Sequence, residues 1–352
     1  MRAREASFYD LLGFGLGDKD YQVFIDEVLS DLQNGRKTDG FDWSPDIQMG
    51  FTYEQIEAEL GLASIPTFVD VDSPGAYKER EGFSLSMGSI PRGKHGCAIN
   101  EKILREEMII AQRTGRYSDG VAGKMLDILF DSSKSLIMGN YNGLTLQRDQ
   151  MISKGMFELT VDNNPDGLRG VKFKANIPSK NITTLAGTAK WWDTNGDEVA
   201  TADPIKDLQD QVEKIEDARV AKFHFEVDKK TFRKTLAHSK VREKIALSLY
   251  PNSQNDNLAS LTSVLSRDLM HQTLEALVGA PIKVIDNVVK IEGKGEMNTF
   301  AENVWALIPD GTLGDIKAVQ PIFVADPAAR IAQYDGGRSV LKQWFDTKTN
   351  NQ

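Results

Sequence analysis

With 352 residues, 40% of them hydrophobic and 26% charged, the chain is long enough to bury a substantial core, and its composition excludes a wholly disordered polymer. A lone cysteine, Cys97, excludes an internal disulfide and a thiolate-rich metal site and fits synthesis in a reducing cytoplasm. The net charge of −9 is uneven: residues 1–60 hold 13 acidic and 5 basic side chains, a balance of −8, and no basic patch with base-reading groups marks a sequence-specific nucleic-acid binder.

No apolar run approaches the ~18 residues that a membrane-spanning helix needs, and the polar, acidic start is not that of a secretory signal. The Gly13 to Gly17 run lacks GxGxxG spacing, a preceding strand and a following Lys-Ser/Thr, so it reads as a flexible arm rather than a phosphate loop. Val23, Phe24, Val28 and Leu32 share a helical face that stops at Asn34-Gly35, which predicts a helix over 21–32. The acidic segment is either a solvated surface or an arm that lies on a neighbour's basic surface.

From Ile65 to Asn100 the pattern turns extended. Phe68 to Val71 reads as a strand, Ser73-Pro74-Gly75 as a turn, and Phe83, Leu85 and Met87 alternate with Ser84 and Ser86 as a returning strand. A long two-stranded excursion has little of its own to pack against, because an isolated hairpin is marginal in water. It calls for a partner, and another subunit is the expected one. Glu101 to Arg113 and Val121 to Met138 are helical, the second with Met125, Ile128, Leu129, Leu136 and Ile137 on one stripe. Gly139-Asn140 predicts that this helix kinks or ends there.

Phe157 to Val161 and Leu168 to Ile177 form a predicted hairpin across the turn Asp162-Asn163-Asn164-Pro165-Asp166-Gly167. Asp162, Asn164, Asp166 and Gly167 open like a calcium loop, but Phe173 stands where the bidentate Glu belongs, so the turn reading prevails. Asp193 to Asp197 is a turn for the same kind of reason. Next, Asp203-Pro204 opens a helix: the Asp carboxylate accepts an orphan N–H and Pro loses nothing at the first position. Ile205, Leu208, Val212 and Ile215 give it an apolar face, and Phe223, Phe225 and Val227 then alternate with Lys222, His224 and Glu226 as a strand.

The stretch GTAKWWDTNGDEVATADPIKDLQDQVEKI, Gly187 to Ile215, with the strand and the Lys-rich helix Asp228 to Leu236 after it, resembles the middle of lambda-type major capsid proteins of tailed phages. The resemblance extends over roughly 58–345, because the flanking segments fall in the family's order. It implies an α+β chain with the Hong Kong 97-like fold: an N-terminal arm over 1–57, an extended loop over 58–100, a spine helix and peripheral domain over 101–200, an axial domain over 201–335, and a return to the peripheral domain over 336–352.

Downstream, Leu258 to Val278 is a predicted helix stopped by Gly279, followed by strands over 282–291 and 303–308. The turn Pro309-Asp310-Gly311-Thr312 resembles one in the family's axial domain. Chemical motifs are scarce. His95, His224, His238 and His271 lack metal-ligand spacing, Cys97 beside His95 is a weak nucleophile candidate in an extended segment, and no GxSxG, Walker or Rossmann pattern occurs, so no enzyme, cofactor or metal is expected. Adjacent Trp191 and Trp192 are expected to put one ring in the core and one at an interface.

By the resemblance, the product is a shell subunit. It self-assembles as hexamers and pentamers in the host bacterial cytoplasm, encloses double-stranded DNA without gripping it, and ends in the virion. The neighbouring subunits are its main partners, with scaffold, portal and decoration proteins as further ones and no membrane. Tyr77, Phe83, Arg92, Trp191 and Trp192 are the expected subunit contacts. Two other readings stay open at this point: an encapsulin-like compartment shell, and a soluble ligand-binding protein or enzyme without a recognisable motif.

Overall fold

Within the acidic segment, a helix with one apolar face forms where the spacing of its apolar side chains predicts one. In the computed structural model, helix α1 (Asp18–Asp31) buries Val28 as expected, but Ile25 is its buried neighbour. Val23, grouped with Val28 by the sequence, is exposed, because five residues separate the two by more than a third of a turn. The structure describes residues 18–32, 37–58, 83–90, 93–96, 106, 109, 113, 120–164, 170–175, 177–251, 265–320 and 330–343. Strand β1 (Phe41–Gln48) is followed by β2 (Thr52–Ala58), which pairs antiparallel with β3 (Phe83–Ser89), Thr52 opposite Ser89 and Ala58 opposite Phe83. The returning strand therefore lies where its alternation placed it. Its partner is Thr52–Ala58, all but the last residue of which the sequence leaves in the N-terminal arm; the predicted strand Phe68 to Val71 lies outside the described residues.

Helix α2 (Gly120–Lys154) runs 35 residues and continues through Gly139-Asn140, so the expected stop does not occur there. The reason is burial: Ile137, Tyr141 and Thr145, one turn apart, are all buried, and Leu146, Arg148 and Asp149 continue the buried face. A mid-helix glycine costs only about 1 kcal/mol, which that packing exceeds. The helix stops at Gly155, whose φ of 67° is open to glycine but strained for other residues. Strands β4 (Met156–Glu158) and β5 (Lys172–Lys174) form the predicted hairpin, shorter than its pattern suggests, with Phe157 opposite Phe173.

The Asp203-Pro204 signal acts as its chemistry requires. Asp203 caps helix α3 (Pro204–Asp217) by accepting the Lys206 N–H, and Ile205, Leu208 and Val212 are buried. Strand β6 (Phe223–Asp228) follows, and its last residue caps helix α4 (Lys229–Ala237) through bonds from the N–H groups of Lys230 and Thr231. Helix α5 (Ser239–Leu249) adjoins it, and helix α6 (Arg267–Val278), opened by the Ser266 cap, forms the later part of the helix predicted over Leu258 to Val278, whose start at 258–264 lies outside the described residues. Gly279 ends α6 in the left-handed conformation, as predicted.

The apolar run Ile282 to Ile291 is two strands rather than one. Strand β7 (Ile282–Ile285) joins β6 in parallel, while β8 (Val288–Ile291) pairs antiparallel with β9 (Gly295–Asn298). Asp286 and Asn287 are poor strand formers, and the Asn287 amide is drawn to Asp149, which turns the chain between the two. Strand β10 (Trp305–Pro309) lies antiparallel on the other side of β6, giving the order β10-β6-β7. The chain closes with β11 (Gly314–Val319), which pairs with β1, and a hairpin of β12 (Arg330–Tyr334) and β13 (Ser339–Gln343).

Two compact units result, one formed by 1–26, 43–96 and 316–352, the other by 27–42 and 97–315. In the first, the Gln22 side chain clasps the backbone of Gln333 in β12, donating to its carbonyl and accepting from its N–H, each at 2.9 Å. In the second, helices α3 to α6 and strands β6 and β7 enclose the main core: Phe225, Val227, Ile205, Leu208, Val241, Ile245, Leu274 and Trp191 among others. Each such large side chain contributes roughly 1.5–3 kcal/mol on leaving water. A smaller cluster joins α2 to the two hairpins through Leu146, Phe157 and Val289.

Candidate subunit-contact site

The adjacent tryptophans separate as their amphipathic rings require. Trp191 is 8% exposed, and its indole N–H donates to Asp207 Oδ2 at 2.6 Å, so the ring that enters the core satisfies its one polar atom. It meets Trp305 edge-on at 6.2 Å, and Trp305 in turn meets Phe225 and Phe232. Trp192 is half-buried at the margin of that core, edge-on to His238 at 5.9 Å, with the Lys234 ammonium 5.8 Å from its ring centre. Of the pair, Trp192 is the one that keeps exposed surface.

The loop that carries them is held by short-range bonds. Asp193 Oδ1 accepts the N–H groups of Asn195 and Asp197, which makes the Asp193 to Asp197 stretch a side-chain-stabilised turn, as its composition predicts. Trp192 pairs with Glu198, whose carboxylate accepts the Ser239 N–H at 2.9 Å and the Ser239 hydroxyl at the start of α5. Burial pushes the Glu198 carboxyl up, and these two bonds, with His238 nearby, outweigh it and hold the group below its usual 4.5. The loop is thereby latched to the corner between α4 and α5.

A charged centre also forms for which the sequence gives no signal. Arg148 and Asp149 on α2 are both buried. The guanidinium donates to Asp149 at 2.9 Å, to Glu226 of β6 at 2.5 Å and to the Asp39 carbonyl at 3.1 Å. Asp149 also accepts from the Asn287 amide at 3.0 Å and from the Thr299 hydroxyl. Burial pushes the Arg148 pKa down; the bonds to Glu226 and Asp149 outweigh it, so the charge is kept. Four separate places in the chain converge on two side chains of α2. Partners 78 and 138 residues away leave no pattern in a local window, which is why sequence reading misses them.

The remaining expected contacts belong to the two-stranded ribbon. Phe83 opens β3 opposite Ala58, while Tyr77 and Arg92 lie outside the described residues. Neither β2 nor β3 pairs with any further strand among the described residues. His95 is exposed and Cys97 lies outside the described residues; no cluster of metal-ligating side chains occurs among those described. Two open grooves occur among the described residues: one of about 630 Å³ between α3 and the end of α6, with charged and apolar lining residues, and one of about 390 Å³ along α4, lined mostly by charged residues. No helix among the described residues is long and apolar enough to cross a membrane.

No curated protein matches the chain. The family model of phage major capsid protein E, by contrast, matches residues 48–322, more than three quarters of the sequence, from the last residue of β1 through the ribbon strands and the whole of the main core to just past β11. The chain belongs to the phage major capsid protein E family and is a capsid shell protein of a virion, built to assemble from many subunits.

Proposed function

We propose that copies of this chain close an icosahedral shell of Hong Kong 97-like subunits around the double-stranded DNA of a tailed phage. The second unit, with its core of α3 to α6 around β6, forms the axial part of rings of five and six. The ribbon β2–β3 reaches onto a neighbouring subunit, with Phe83, Tyr77 and Arg92 as contacts there and Trp192 as a contact beside the axial core. Assembly takes place in the host cytoplasm, with scaffold, portal and decoration proteins as the further partners, and the negative surface confines DNA without gripping it.

The observation that supports this reading is the ribbon itself: two strands of seven residues, paired only with each other among the described residues, in a chain whose family builds shells. Isolated two-stranded pairs are marginal in water, and a neighbouring copy supplies the missing surface. Negative-stain microscopy of the purified protein tests it. Uniform closed shells are expected; a persistent monomer at high concentration overturns the proposal, and closed particles that hold an enzyme instead of nucleic acid replace it with a cargo compartment.

A further inference from the structure

Two helices of the second unit carry opposite surpluses of charge. The sequence of α3, PIKDLQDQVEKIED, has five carboxylates against two lysines, and that of α4, KKTFRKTLA, has four cations and no carboxylate. On α3, Asp207 is occupied by Trp191, but Asp210, Glu213, Glu216 and Asp217 are exposed and make no ion pair or side-chain hydrogen bond among the described residues. Asp210, Glu213 and Asp217 stand three and four residues apart, on one stripe. On α4, Lys229 and Lys230 are met by Asp286 and Glu302, whereas Lys234 only overhangs Trp192 and exposed Arg233 has no partner among the described residues. All four cations line the groove of about 390 Å³. No ion pair joins the two rows within the chain among the described residues, α3 packing on α5 and α6 and α4 on α5, β6 and β7.

We infer that the groove along α4 receives the carboxylate row of α3 from a second copy, in a head-to-tail contact that repeats around a ring. The inference rests on the shell-building function proposed above. Two different, complementary patches on one chain make a heterologous contact, which closes into a ring when the rotation allows. A nucleic-acid backbone is the weaker fit: two of the four cations are already neutralised within the chain, and a polyanion on α4 leaves the α3 carboxylates unmatched. Charge on exposed helices adds modest strength per contact but strong selectivity of register, and a shell multiplies the contact by its copy number.

A charge exchange decides it. The wild type, Arg233→Glu/Lys234→Glu, Asp210→Lys/Glu213→Lys and the fourfold combination are compared by light scattering against protein concentration, by negative stain, and by circular dichroism with thermal unfolding. Each reversed pair is expected to stay folded yet need about tenfold more protein to form shells, and the combination to return to within about twofold of the wild type. Reversed variants that assemble like the wild type, or a combination as poor as its parts, overturn the contact; so does normal assembly with loss of enclosed nucleic acid, which assigns the groove to a polyanion. A wild type that makes no shells sinks the shell proposal instead. Sedimentation of the same four proteins then decides the contact by itself: small oligomers lost on reversal and regained on combination uphold it, and monomers throughout overturn it.

Discussion

Arg148 is the residue on which most separate parts of the second unit depend, since its guanidinium ties α2 to β6 and to the chain at Asp39. Such a centre is weak evidence of added stability, because desolvating ions costs about what their attraction returns, but removing one partner strands the others. Arg148→Met should leave buried Asp149 with only the neutral donors Asn287 and Thr299, and buried Glu226 with only the longer contacts to Lys283 at 3.6 Å and His224 at 3.5 Å, and lower the unfolding free energy by roughly 3 kcal/mol in urea denaturation. Adding Glu226→Gln should recover part of that loss, and a strictly additive double mutant would show that the two side chains are not coupled.

His238 gives the second residue-scale prediction. It is 1% exposed where α4 meets α5, and burial holds its pKa below the ordinary 6.5; Lys240 adds to this, while Glu198 and Asp203 oppose it. The unfolded chain takes up a proton near 6.5 and the folded one does not, so the stability present above 6.5 is lost as pH falls through the lowered folded value. The slope is at most about 1.4 kcal/mol per pH unit. Asp39, Glu198 and Asp203 are also held below their ordinary values, but their contribution is lost in a lower window, as pH falls beneath the usual 3.8 to 4.5. Urea unfolding of the wild type and His238→Gln between pH 7.5 and 5 separates them: the slope over that range should flatten in the variant.

At the scale of elements, burial decides where a helix continues. The Cβ of an alanine at Gly143 meets no atom within 4 Å beyond its chain neighbours and its own helix's backbone, and the residue sits inside α2, so Gly143→Ala should raise stability by about 1 kcal/mol through backbone entropy alone, read as a higher thermal midpoint. A fall instead would mean that α2 is not a regular helix there. Elements with capping chemistry were legible from sequence: Asp203-Pro204, the strand of Phe223, Phe225 and Val227, and the Gly279 stop all stand where local rules put them. The continuation of α2, the division at Asp286-Asn287 and the pairing of β2 with β3 were not, because each is settled by a distant partner. Of the contact residues, Trp191 was legible as part of a pair but not as its buried member, since that depends on Asp207 and Trp305 arriving from elsewhere. The ribbon carries its own prediction. Deleting Ser73 to Arg92 removes β3 but no residue of the main core, so circular dichroism should show a folded chain that forms no shells; loss of helical signal would place the ribbon in its own subunit's fold.

For the whole molecule, what matters is how a marginal contact becomes a closed shell. A subunit that loses about 1.4 kcal/mol of contact needs about tenfold more protein to assemble, so the threshold concentration magnifies effects too small to see in folding. Salt then distinguishes the kinds of contact. Raising NaCl from about 0.15 M to 1 M shortens the screening length from about 8 Å to 3 Å, which weakens exposed ionic contacts and leaves apolar burial intact or strengthened. If the α3 and α4 rows meet between copies, the wild-type threshold should rise across that range. In Arg233→Glu/Lys234→Glu the same rows repel, so screening relieves the repulsion and the threshold should fall. Light-scattering titrations at the two salt concentrations measure both signs. Thresholds that move the same way in the two proteins would mean that the ribbon and other apolar surfaces carry the assembly, with the charged rows facing solvent.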